Sequence, residues 1–410
     1  MKYILKLSLF FIAVIMLSCQ VNDTKETTVK EMSPPVSEDS MQPYLSVNGS
    51  ALLMSWTEQE NDSVFALCFS KLNDGKWSEK SVIKQGEDWF VNWADFPSIY
   101  GINENLISYY LKKSDAETYA YDIFLRQSAD SGKHWNIENK LHSDTTKTEH
   151  GFVSLTPSNT DSFFITWLDG RNTKSTGHDH GHGEGGGAMQ IRVAEVMIDG
   201  NIKNEFELDS RTCDCCQTST SLTDDGPIVV WRDRSDQEIR DIYYSKFKDG
   251  NWSKSKPVFK DNWKINGCPV NGPKVAVNQN SVAVAWFTAA DNIPKVNLSF
   301  SKDSGENFMD PIEIHQEKAI GRVDLLMLDQ ETALISWMES SEDMALLKIA
   351  KVGIDGNIEK IVEVAEIAAS RATGFPQMES VNGQVYMAWN DLENDKTKVN
   401  VFSLSLEALN

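Results

Sequence analysis

The chain has 410 residues, with 39 Lys and Arg against 60 Asp and Glu and a formal net charge of −21 at neutral pH. Its cations are scattered rather than gathered in a stripe, which argues against nucleic-acid binding because neutralising phosphates takes clustered Lys and Arg; the acidity suits solubility in a cell envelope. Twelve Trp, 18 Phe and 10 Tyr, with no sustained helical period, point to one large β domain.

In chain order, Lys2 and Lys6 form a charged start, Leu7 to Leu17 an apolar run, and Leu17-Ser18-Cys19 places a small residue before a cysteine. The segment resembles a bacterial lipoprotein signal, which implies that Cys19 is lipidated and anchors the protein to a membrane of the bacterial envelope, at the outer membrane or cell surface. An ordinary secretory signal and a transmembrane anchor are the alternatives, and the apolar stretch is short for a span of about 20 residues. This divides the chain into a signal over 1–19, a polar tether over 20–41 containing Pro34-Pro35, and a folded domain over 42–410.

Within that domain a short apolar strand ends in Trp or Tyr seven times: LLMSW to Trp56, LISY to Tyr109, FFITW to Trp167, PIVVW to Trp231, VAVAW to Trp286, ALISW to Trp337 and VYMAW to Trp389. A period of roughly 40 to 60 residues is that of propeller blades. The pattern predicts an all-β β-propeller of four-stranded blades, seven units opening near Pro43, Asp95, Gly151, Cys216, Pro269, Val323 and Phe375, or six if a terminal unit docks irregularly. The last unit ends after its third strand. Ring closure therefore calls for a fourth strand from before Met41, around Val29 to Val36.

Turns recur behind these strands. Ser128, Asp130, Gly132 and Trp135 form a Ser-x-Asp-x-Gly-x-x-Trp pattern, repeated with Phe at Ser301, Asp303, Gly305 and Phe308, with worn copies at Ser70 to Trp77 and Ser245 to Trp252. Asp closes a side-chain turn, Gly supplies a positive φ and the aromatic packs back between strands. The pattern resembles the Asp box of the sialidase superfamily (BNR repeat), which implies a propeller with these boxes on the rim far from any active site.

Two further stretches, CDCCQT from Cys213 and NGCPVNGP from Asn266, together with the segments around Trp231, Trp286 and Arg322, resemble bacterial secreted proteins catalogued as sialidase-like or exo-α-sialidase. The first strand of each blade lines the central channel, so Cys213, Cys215, Cys216 and Cys268 converge on one mouth. Three readings stay open for them: disulfides, for example Cys268 with Cys213 or Cys216; a soft-metal site for copper or zinc that His150 could join; and a redox or nucleophilic thiol. Cys68 reads as a buried strand thiol. His178, His180 and His182, in a Gly-rich insertion of the third unit, are either metal ligands or incidental residues of a surface loop.

The sialidase resemblance implies three arginines around a substrate carboxylate, a Tyr nucleophile paired with Glu, and an Asp acid/base. No catalytic residue is assigned, and the ligand-binding candidates are Arg171, Arg234, Arg322 and Arg371 together with Asp95 at a blade opening. Arg171 and the Arg232/Arg234 run have carboxylates nearby with which to pair, whereas Arg322 and Arg371 stand alone and are the better ligand groups. The Arg-Ile-Pro motif is missing and no Tyr pairs with a Glu by inspection, Tyr243 and Tyr244 being possible. The expected function is a glycan-directed or other anionic-ligand protein at the channel mouth, sialidase-like glycoside hydrolysis being one form of it. The alternative is a metal or redox protein centred on the cysteines. The expected site gathers Asp95, His150, Cys213, Cys215, Cys216, Cys268, Arg322 and Arg371 around one polar pocket.

Overall fold

The computed structural model describes residues 29–158, 161–173, 187–316, 318–393 and 396–409. Cys19 and the three insertion histidines therefore lie outside the described residues. Seven antiparallel sheets follow one another along the chain as the blades of a β-propeller, each numbered here by its innermost strand: Ser40–Asn48, Ile99–Ile102, His150–Pro157, Ser219–Thr223, Lys274–Asn278, Ala319–Met327 and Gln377–Val381. Each inner strand is followed outward by its second and third strands in simple up-and-down order, and the outermost strand of blades 1 and 4 is split into two short pieces. Blade 7 is completed by Lys30–Met32, which pairs antiparallel with Lys396–Ser405 in the register Glu31 to Phe402. That strand lies inside the stretch read from sequence as a tether, and it joins the two ends of the described chain.

The sequence marks fall on the second strands. Trp56, Trp167, Trp286 and Trp337 are fully buried, and Tyr109, Trp231 and Trp389 almost so. Because neighbouring blades cover both faces of a second strand, runs such as Ser281–Thr288 are buried at every position and read as continuous rather than alternating apolar sequence. Each indole withdraws about 200 Å² from water, about 5 kcal/mol at the usual 25 cal/mol/Å². A carboxylate two residues on shares the same face and takes the indole N–H: Trp56 donates to Glu58 at 2.7 Å, Trp167 to Asp169 at 2.8 Å and Trp337 to Glu339 at 2.8 Å.

Two rim turns have the same geometry. Ser128 donates to Asp130 at 2.8 Å and accepts from the Gly132 N–H at 2.9 Å, and Ser301 does the same with Asp303 and Gly305 at 2.7 and 3.0 Å. Trp135 then packs edge-on against Phe69 of blade 1, and Phe308 against Tyr244 of blade 4. These turns hold neighbouring blades together at the edge opposite the chain segments that open each blade.

Candidate functional site

The segments that open the blades share one face of the disc, and the most telling of them is the connection over residues 87–98. Asn92 accepts from the Ala94 N–H through its side chain and so bends the chain inward. From there the segment reaches almost every blade around it. Gln42 of blade 1 donates to Asn92 O at 2.7 Å, Gln217 at the start of blade 4 donates to Ala94 O at 2.6 Å, and the Phe152 N–H of blade 3 donates to Asp95 at 2.8 Å. Trp93 stacks on Phe375 at 5.6 Å, at the start of blade 7, and lies under the Arg322 guanidinium of blade 6 at 5.0 Å. The loop therefore lies across the channel mouth. Trp93, Ala94 and Phe96 fill the axis with apolar surface, so the eight expected residues do not line one open polar pocket.

Asp95 belongs to this loop and its side chain is almost wholly buried. Its Oδ2 accepts from the Tyr121 hydroxyl at 2.8 Å, and the same hydroxyl is 2.9 Å from Glu149 Oε1. Burial, opposed by bonds from Tyr121 and Phe152, lifts the Asp95 pKa to about 7. Burial also holds Glu149 well above the carboxylate range, aided by the charges of Asp95, Asp214 and Cys268. One phenolic proton serves one carboxylate at a time, so the second carboxyl bonds fully only when it carries a proton itself.

His150 is turned away from the cysteines. Its ring stacks on His142 at 3.7 Å in the seam between blades 2 and 3, with Nε2 at 2.9 Å from Asp144. Asp122 and Asp169 flank the same pair, and Arg171 grips Asp169 through Nε and Nη2, both at 2.7 Å, while touching Glu205. Arg171 is thus an ion-paired member of the wall, and Arg234 is likewise held by Glu238 at 2.8 Å and Asp214 at 3.5 Å.

The cysteines do come together. Cys213 Sγ is 3.7 Å from Cys215 Sγ and 3.6 Å from Cys216 Sγ, and Cys268 stands beside Cys215 on a neighbouring loop. All four thiols are free, Cys213 and Cys216 buried and Cys268 exposed. Arg240, fully buried, donates to Cys213 Sγ at 3.1 Å and to Glu238 at 2.8 Å. Burial opposes a thiolate at Cys213, but bonds from Cys215 and Cys216 and the charges of Arg240 and Arg232 outweigh it and hold that thiol well below its usual pKa. Cys68 is separate, buried in blade 1, where burial pushes its thiol up to about 12.

Arg322 and the cysteines meet through Asn271, whose N–H donates to Cys216 Sγ at 3.4 Å while its Oδ1 accepts from the Arg322 N–H at 2.7 Å. The Arg322 guanidinium donates to the carbonyls of Ser370 and Gly374. Arg371 is exposed and sits 5.8 Å from the same Trp93 ring. Among the described residues neither guanidinium has a carboxylate partner, and burial plus the charge of Arg371 lowers the Arg322 pKa to about 10.

No protein-family model and no curated protein matches the chain. Its fold is similar to the α-L-arabinofuranosidase Arb93A from Fusarium graminearum, solved with an iminosugar inhibitor, at TM-score 0.51 and 11% identity over 94% of this chain and 99% of that one. It is also similar to the polysaccharide lyase Uly1, at TM-score 0.52 and 9% identity over 89% and 90% of the two chains. At such identities the likeness shows the seven-bladed fold and nothing finer.

Sequence reasoning missed Trp93, Tyr121, Glu149, Arg240 and Asn271. Glu149 and Asn271 each stand within a few residues of a blade opening, which was the available signal. Tyr121 begins a third strand and meets its partners only through the ring geometry.

Proposed function

We propose that this protein binds an anionic ligand, best matched by a carboxylate-bearing sugar, on the mouth face of its propeller, with Arg371 as the recognising group. The observation that carries the reading is the pair of guanidinium groups sharing Trp93 without a carboxylate partner, in a chain whose net charge is −21. Two like charges side by side on an aromatic platform are relieved by an incoming anion, and a guanidinium fork suits a carboxylate in particular. The sugar component is supported by the fold shared with an arabinofuranosidase and a polysaccharide lyase.

Binding is favoured over hydrolysis. Asp95, Tyr121 and Glu149 are the residue types of sialidase-like chemistry, but Asp95, within the 87–98 loop, and Tyr121 are buried away from any substrate. We further place the chain on the bacterial envelope through a lipid at Cys19. Fatty-acid labelling of the natural chain and its loss, with accumulation of precursor, in Cys19→Ala tests this, and persisting label refutes it.

For the ligand, titration calorimetry with sialyllactose and a glucuronate oligosaccharide, each against its neutral counterpart, is the direct experiment. The anionic sugars bind, Arg371→Lys binds about tenfold more weakly through loss of the fork, and Arg371→Ala does not bind measurably. Equal binding by Arg371→Ala, or no binding of either anionic sugar at millimolar concentration, overturns the reading.

A further inference from the structure

We propose that Cys213, Cys215 and Cys216, with Cys268 as the solvent-side ligand, form a binding site for a thiophilic closed-shell ion, Cu(I) or Zn(II). The spacing of the sulfurs carries this. A metal–sulfur bond of about 2.3 Å in tetrahedral geometry sets neighbouring sulfurs about 3.8 Å apart, whereas a disulfide needs about 2.0 Å. The observed separations are 3.7 Å from Cys213 to Cys215 and 3.6 Å from Cys213 to Cys216. All three Sγ atoms lie within 4.8 Å of one another. Soft thiolate sets select Cu(I) and Zn over harder ions.

The surroundings fit thiolate ligands rather than neutral thiols. The Arg240 guanidinium and the Asn271 N–H donate to the sulfurs of Cys213 and Cys216, the kind of second layer that orients metal ligands and disperses their charge. Arg232, 1% exposed, spends its guanidinium on the carbonyls of Asn271, Arg240 and Phe287, and among the described residues it has no carboxylate within ion-pairing distance. Arg240 divides its charge between Glu238 and Cys213, while Arg232, among the described residues, pairs with no carboxylate, so buried positive charge stands beside thiolates that would otherwise be costly to bury.

The backbone is held for this arrangement at some cost. Val270 takes φ +47, a left-handed conformation that a β-branched residue rarely adopts, and this is what presents the Asn271 N–H to Cys216. Gly272 follows because a Cβ there would stand 2.2 Å from the Gln217 carbonyl oxygen, so the two cysteine loops close on each other only without a side chain.

The test uses the full chain, reduced and desalted under nitrogen, then titrated with Zn(II) or with Cu(I) in competition with a chromophoric chelator. One ion per chain is retained, and Co(II) in its place gives thiolate charge-transfer absorption. Cys213→Ser and Cys216→Ser each weaken binding at least about 100-fold, and Cys268→Ser, at an exposed position that folding does not depend on, about tenfold. Cys68→Ser and Arg371→Ala leave the affinity unchanged, so this proposal and the anionic-ligand reading fail separately. Retention of no ion by the reduced chain, with a Cys213–Cys216 disulfide re-forming in air, assigns these cysteines to a structural bridge and overturns the proposal. So does a folded Cys213→Ser or Cys268→Ser variant that holds the ion as tightly as the natural chain.

Discussion

Asp95→Asn tests whether the loop over the mouth is held by a protonated carboxyl. Asp95 is 1% exposed and accepts from the Phe152 N–H and the Tyr121 hydroxyl, both at 2.8 Å. Burial, against those two bonds, moves its pKa from 3.8 to about 7. The folded chain therefore holds this proton more tightly than the unfolded chain does. Below about pH 4 both states are protonated and nothing is lost; as pH rises from about 4 to 7 unfolding releases a proton and stability falls; above 7 the whole difference of about 4 kcal/mol is lost. Asparagine has the shape of the protonated acid at every pH, and its Oδ1 still accepts from Phe152. Asp95→Asn should gain on the natural chain by about 3 kcal/mol between pH 5 and pH 8. Urea unfolding followed by tryptophan fluorescence at several pH values measures the gain. Asp233 and Glu379, which burial also raises, are common to both chains and cancel in the difference, whereas Glu149, held up in part by the Asp95 charge, relaxes in Asp95→Asn and adds to the gain in the same direction. Parallel pH profiles for the two chains would refute the reasoning.

Gly132→Ala puts a Cβ 2.2 Å from Phe69 Cζ at a residue with φ +86, so it should cost about 2 to 4 kcal/mol, read as a fall in thermal midpoint; a change under 1 kcal/mol would show that blade 1 yields to the rim turn. Truncation to Ser37 removes Lys30–Met32 and should strip hydrogen-exchange protection from Lys396–Ser405 before any other third strand; uniform loss around the ring would deny that this strand is the closure. Trp93→Ala removes the platform under Arg322 and Arg371 and should weaken the anionic ligand about 5- to 30-fold, the worth of a partly desolvated cation–π contact, in the same calorimetric titration; unchanged affinity would detach the ligand from the mouth.

The fold was legible because each blade repeats one local requirement, an aromatic residue in the middle of a strand covered on both faces. Trp56, Tyr109 and Trp167 announce blades 1 to 3 without knowledge of their neighbours. The fourth strand of blade 7 was legible too, since the last unit calls for a closing strand around Val29 to Val36 and Lys30–Met32 pairs with Lys396–Ser405. The site was legible only as a set of blade openings. The structure sets Cys213, Cys215 and Cys216 together at the opening of blade 4, with Cys268 on the neighbouring opening, as adjacent inner strands require. The spacing of the openings misjudges what they enclose, since the 87–98 loop has no period and its contacts, from Asn92 to Gln42 and from Ala94 to Gln217, are long-range. His150 shows the same limit. A strand start fixes where its backbone lies, but the seam with His142 and Asp144 decides which way the ring turns.

The crossing of the mouth by that loop changes what kind of protein this ring is. An open propeller concentrates its chemistry on the axis, where first strands from every blade point inward. Here Trp93, Phe96 and Phe375 occupy that place, and the polar groups are displaced to the wall of blades 2 to 5 and to the ridge of blades 6 and 7. The displacement leaves two separate groupings rather than one: thiols backed by buried guanidinium groups on one side, and on the other two guanidinium groups that, among the described residues, have no carboxylate partner and share an aromatic platform. Asn271 touches both, through its N–H to Cys216 and its Oδ1 to the Arg322 N–H, and its Nδ2 fixes Ile320 O at 3.0 Å. An ion that draws Cys216 and its loop inward would therefore act on the same side chain that sets the Arg322 backbone.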